Sequence, residues 1–164
     1  MNIALTVPAE MVGHLRNGLH SVIGGAARDI SQTTEQPGRE HHPESYEEPR
    51  EHYDRTCALL DLIGWGDPEQ PTQAQVDLPT HRWALMEALD VLLLVADADM
   101  EEADTVDAER AKRGEAAKRE ATTRRVLALR EFASAAKARV DALDEQGSGE
   151  ENEQDEGGRF GLVL

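Results

Sequence analysis

Residues 79–143 read PTHRWALMEALDVLLLVADADMEEADTVDAERAKRGEAAKREATTRRVLALREFASAAKARVDAL. Leu85, Leu89, Leu92, Ala96, Met100 and Ala103 recur here at spacings of three and four, as do Val126, Leu129, Ala133, Ala136, Val140 and Leu143. Such spacing draws one apolar stripe along a helix. The two stripes are reflections of each other. Leu85 matches Leu143, Leu92 matches Ala136 and Ala103 matches Val126, which centres a fold-back near Gly114. Register alone allows a slip by one heptad. Glycine chemistry at a helix C-terminus breaks that tie, because 114 is the sole glycine between Gly66 and Gly147. The stretch therefore predicts two long helices doubled back on each other. Val91–Ala96 is apolar almost all round, which marks the first arm as a central helix with several neighbours.

Upstream, Asn2 to Val7 alternates and reads as a short strand or extended lead-in. From Pro8 on, Met11, Leu15, Leu19, Val22, Ile23, Ala26 and Ile30 share one helical face. Gly13, Gly18, Gly24 and Gly25 weaken that helix, by about 1 kcal/mol each, so it depends on tertiary packing. A break, or a close backbone approach, is expected at Gly24-Gly25. A second helix is expected over 44–64, with Tyr46, Tyr53, Cys57, Leu60 and Ile63 inward and Pro49 confined to its first turn. Residues 67–78 hold two prolines and few apolar side chains and read as a linker.

The resulting expectation is an all-α, antiparallel helical bundle of about four helices over 1–143. It divides into an N-terminal strand and helix (1–34), a helix (44–64) and a hairpin (79–143). A disordered acidic linker (144–158) and an apolar tail (159–164) follow. Short terminal strands are part of this reading: Arg159-Phe160-Gly161-Leu162-Val163-Leu164 either pairs with Asn2–Val7, docks into a partner's groove or sheet edge, or frays.

Charge narrows the functional classes. The 164 residues carry a net charge of −16. Residues 1–105 contribute 20 acids against 6 bases, and 106–143 contribute 6 acids against 10 bases. An excess of this sign opposes duplex binding, which draws on phosphate neutralisation, and favours basic partners. The basic residues Arg110, Lys112, Arg113, Lys118, Arg119, Arg124 and Arg125 cluster at the hairpin tip. They either pair with the acidic arms and tail or contact an anionic partner. One cysteine, Cys57, excludes an internal disulfide and fits a reducing cytosol. It sits near Leu59, Leu60 and Ile63 and reads as a small core residue. The start lacks a signal-peptide pattern and no apolar run reaches the length of a membrane span. Arginine outnumbers lysine 14 to 3, a bias associated with GC-rich bacterial genomes.

No motif here names an activity. Glu48/Glu51 and Glu87/Asp90 are carboxylate pairs three apart, each on one helix face. They resemble the paired acids of the all-α nucleoside-triphosphate pyrophosphohydrolases. The resemblance covers those four residues, and Pro49 stands inside the first pair. It implies Mg²⁺ held between facing helices and a nucleotide hydrolase. In so acidic a chain, the plain reading of such pairs is a solvated face. Of six histidines only His41-His42 is clustered, no Glu-x-x-His pair occurs on a helix, and neither a nucleophile elbow nor a phosphate loop is present. No cofactor or resident metal is expected. The leading expectation is a non-catalytic interaction or regulatory protein in the cytoplasm, with a protein partner, and with self-association left open. Trp65, Trp83 and Leu94 lie outside the apolar stripes, so they either fill the core or anchor a partner together with Phe160, Leu162 and Leu164.

Overall fold

A computed structural model of the protein describes residues 2–34, 44–64, 70–115 and 119–156; for 33–34, 44–46 and 144–156 it describes the backbone only. The element order is β1 (Asn2–Val7), α1 (Ala9–Thr34), α2 (Glu44–Ile63), β2 (Thr72–Asp77), α3 (Leu78–Lys112) and α4 (Glu120–Glu156). The described residues are all-α apart from one short antiparallel sheet of β1 and β2, in which Asn2 stands opposite Asp77 and Val7 opposite Thr72. α1 packs on α2 and α3, and α3 also packs on α2 and α4. α3 thus has three helical neighbours, although Leu94 and Val95 within its all-round apolar stretch stay exposed.

The core joins one face of every element. Ile3, Leu5 and Val7 of β1 alternate inward, as do Ala74 and Val76 of β2. Leu15 and Leu19 of α1, Leu59 and Ile63 of α2, Leu85 and Leu89 of α3, and Leu129 and Val140 of α4 complete it. Each large side chain removed from water contributes roughly 1.5–3 kcal/mol.

The hairpin forms as its stripes require. Gly114 has φ +72°, the left-handed conformation that glycine adopts without penalty. Its N–H donates to the Ala111 carbonyl at 3.1 Å and the Glu115 N–H donates to that of Arg110 at 3.0 Å. These are the two bonds of a Schellman helix stop. Ion pairs then run along the two arms: Arg82–Asp141 (3.3 Å), Asp90–Lys137, Asp97–Arg130, Asp99–Arg125 (2.8 Å) and Asp104–Arg119. Their numbering centres the fold-back between Ala111 and Gly114.

Several expectations change. Residues 72–77 are not linker but β2, and β2 is the strand that pairs with β1; residues 159–164 lie outside the described residues. Two glutamines hid the Ala74/Val76 alternation. The acidic stretch expected to be disordered is helical from Asp144 to Glu156, within α4. Glutamate and glutamine are good helix formers, and extending a nucleated helix adds one bond per residue ordered. α1 runs unbroken through Gly24-Gly25, and nothing lies within 4 Å of a β-carbon placed on either. The close approach is at Gly18, whose β-carbon would meet the Ala88 carbonyl oxygen at 2.8 Å. Pro49 lies inside α2, past its first turn. α2 is also rotated relative to the expectation: Thr56 and Leu59 are buried, while Tyr53 and Cys57 are only partly covered. The Thr56 hydroxyl escapes the penalty of burial by donating to the His52 carbonyl at 2.6 Å.

Candidate functional site

A cleft of about 470 Å³ opens where α1, α2 and α3 meet. α1 supplies Ser21, Val22, Gly25, Ala26 and Asp29, residues that a 3.6-residue repeat brings to one side. α2 supplies Glu48, Pro49 and His52. α3 supplies Trp83, Glu87 and Val91, each one turn beyond the last. Gly25 leaves its part of the wall open, since no atom lies within 4 Å of where a β-carbon would be.

His52 lies flat on Trp83, with ring centroids 3.7 Å apart and planes 10° from parallel. The stack covers one indole face and leaves Trp83 38% exposed. Eleven residues on, about 16 Å along the helix axis, Leu94 is 68% exposed and Val95 beside it is also exposed. Trp83, Glu87, Val91 and Leu94 follow one another at spacings of four, four and three. They form a single stripe on the side of α3 opposite its buried Leu85, Leu89 and Leu92.

The candidate carboxylates do not gather at one point. Glu48 and Glu87 both line the cleft. Glu51 bonds Arg55 one turn further along α2, and Asp90 bonds Lys137 on α4. Among the described residues, no group of three or more histidine, cysteine or acidic side chains is placed to hold a metal ion. Comparison with protein-family models, curated proteins and solved structures finds no match. The site's chemistry is therefore read from its own residues.

Those residues offer three exposed carboxylates (Asp29, Glu48 and Glu87), a stacked aromatic pair and an apolar strip, a combination suited to an amphipathic cationic group. Trp65, Phe160, Leu162 and Leu164 lie outside the described residues, as does His41-His42. In the basic cluster, Arg119 and Arg125 pair across to α3, Arg124 pairs with Glu120, and Arg110 and Arg113 both reach Glu115. Cys57 is not fully buried as expected, and its thiol is pushed up from its ordinary value by partial desolvation, against the pull of a hydrogen bond with Tyr53. That disfavours the thiolate a nucleophile would need. The sequence reading missed the His52–Trp83 stack, because pairing across two helices leaves no trace in the spacing of either. It also missed Arg16, which is 7% exposed inside the core face of α1.

Proposed function

We propose that this chain is a non-catalytic protein-binding protein that takes a basic, apolar-bearing segment of another protein along the Trp83–Leu94 stripe of α3. One observation carries the reading: of the two branches open to these large side chains, core or contact surface, Leu94 stands in solvent and Trp83, half-covered by His52, keeps an exposed side on the same helix face. Glu48 and Glu87 border the same strip, and the net charge of −16 draws cationic partners. No described helix is long and apolar enough to cross a membrane. A bacterial cytosol is the proposed setting.

The test is an array of immobilised fifteen-residue peptides graded by charge and apolar content. Basic amphipathic peptides should retain the protein at micromolar concentration, and Leu94→Glu or Trp83→Ala should weaken retention at least tenfold with unchanged circular dichroism. Equal retention of acidic and basic peptides, or of wild type and Leu94→Glu, overturns the reading.

The alternative is an Mg²⁺-dependent nucleotide pyrophosphohydrolase-like enzyme using Glu48, Glu51, Glu87 and Asp90. Its support is the cleft shared by Glu48 and Glu87. Glu51 and Asp90 are engaged elsewhere, so the four as placed do not fit one cation. Phosphate release from a nucleoside triphosphate panel with Mg²⁺ would establish this alternative, and no turnover by the folded protein would end it.

A further inference from the structure

A second groove, of about 390 Å³, lies between β1 and α4. Leu5 and Thr6 of β1 both line it, together with Met11 and, from α4, Phe132, Ala135 and Ala136. Consecutive strand residues point to opposite faces of a sheet. A groove touching both Leu5 and Thr6, and no residue of β2, therefore runs along the outer edge of β1. That edge has no third strand among the described residues, so alternate N–H and C=O groups of β1 are turned toward the groove. Its far wall carries Ala128, Phe132, Ala135 and Ala136, with Glu131 and Arg139 at the rim. A bare strand edge facing an apolar helix surface is the geometry in which an extended peptide adds as a strand.

We propose that the groove receives residues 159–164 of a second copy of this chain, as a third strand on β1. The sequence Phe160-Gly161-Leu162-Val163-Leu164 puts Phe160, Leu162 and Leu164 on one side of an extended segment. Arg159, directly before it, is the only base after Arg139, and the groove rim carries Glu10 and Glu131 against the single base Arg139, a net acidic rim.

Reach decides between the chain's own segment and a neighbour's. α4 is helical to Glu156, about 25 Å beyond Arg139 at the rim of the groove, at 1.5 Å per residue. Phe160 follows Glu156 by four residues and can return about 14 Å at full extension. Phe160 therefore falls short of its own groove and only Leu164, eight residues past Glu156, could touch its rim, whereas a second copy can lay the whole segment along β1. Reciprocal exchange about a two-fold axis fills both grooves and closes the assembly as a dimer.

Light scattering on the eluting protein tests this. The full chain should be dimeric at 100 μM, and both the 159–164 deletion and Ala135→Glu should be monomeric with unchanged circular dichroism. A fluorescein-labelled GGRFGLVL peptide should bind the deleted protein, and Ala135→Glu in that background should weaken it at least tenfold. A monomeric full chain overturns the proposal, as does a dimer that survives the deletion or a peptide indifferent to Ala135→Glu.

Discussion

The guanidinium of Arg16 donates from Nη1 to the Gly64 carbonyl at 2.6 Å and to that of Leu60 at 3.1 Å, which closes the C-terminus of α2 from inside α1. The last carbonyls of a helix have no partner within the helix, and a cation near them is further favoured by the helix dipole. Gly64, at φ +60°, donates its own N–H to Leu60 and completes the turn. Arg16→Ala leaves the Gly64 carbonyl without this donor, while that of Leu60 keeps the Gly64 N–H. Hydrogen bonds to a charged donor are worth about 1.5–3 kcal/mol each. Urea unfolding should therefore show a loss of about 1.5–3 kcal/mol. Arg16→Lys should recover only part of it, because an ammonium cannot reproduce the planar fork. A loss under 1 kcal/mol for Arg16→Ala would mean that water caps α2 just as well.

The four glycines of α1 should separate sharply when replaced. At Gly18 a β-carbon would meet a backbone oxygen at 2.8 Å and Leu92 Cδ1 at 3.0 Å, so α1 and α3 must move apart to admit one. Gly18→Ala is expected to destabilise by about 1–3 kcal/mol, as overpacking of a core does. Gly24 has open space around it. Gly24→Ala should stabilise by about 0.5–1 kcal/mol through helix propensity alone. Thermal melts of the two variants should move in opposite directions. Movement in the same direction would contradict the α1–α3 packing at Ala88.

The hairpin register makes a prediction that does not depend on energies. Asp97 pairs with Arg130 across the arms. In a Cys57→Ser background, cysteines at 97 and 130 should be joined by a short bis-maleimide within one chain, and cysteines at 97 and 141 should not. Reversal of that preference would move the fold-back away from Gly114. Gly114→Ala should cost about 1–2 kcal/mol, the penalty of a left-handed conformation for a residue with a β-carbon. The ion pairs themselves are mostly solvent-exposed and add only about 0.2–1 kcal/mol each, weakening with salt. They fix the pairing of the arms more than they hold them together.

What could be read from the chain was whatever is periodic within one element. The stripes of α3 and α4, the strand at Asn2–Val7 and the stop at Gly114 all rest on local spacing, and each appears where that spacing puts it. Relations between elements could not be read. β2 needed β1 as a partner before Thr72–Asp77 made sense as a strand. Thr56 and Leu59, rather than Cys57, face the core because α1 and the sheet set the rotation of α2, which its own weak stripe does not. The candidate site was half legible. Trp83 and Leu94 stood out because they fall off the stripe, but the cleft that unites Trp83 with Glu48 and His52 is built from three helices far apart in sequence. The carboxylate pairs show the converse, since correct spacing on each helix did not make the pairs face one another.

Acid titration should expose the start of α3. The Thr80 hydroxyl donates to Asp77 Oδ2 at 2.5 Å, and this bond, with a smaller contribution from His81, holds the Asp77 carboxyl below its ordinary value of 3.8. A carboxyl whose folded value is depressed stabilises the fold fully above its unfolded value, about 3.9. That contribution fades as the pH falls through the lower folded value, where both states are protonated. The stability difference between wild type and Thr80→Val should therefore be flat from pH 5 to 7 and shrink below about pH 4. Carboxyl NMR should show Asp77 titrating at higher pH in Thr80→Val than in wild type. An unchanged midpoint would show that the hydroxyl does not set the charge of Asp77 and that the turn leading from β2 into α3 is held by other means.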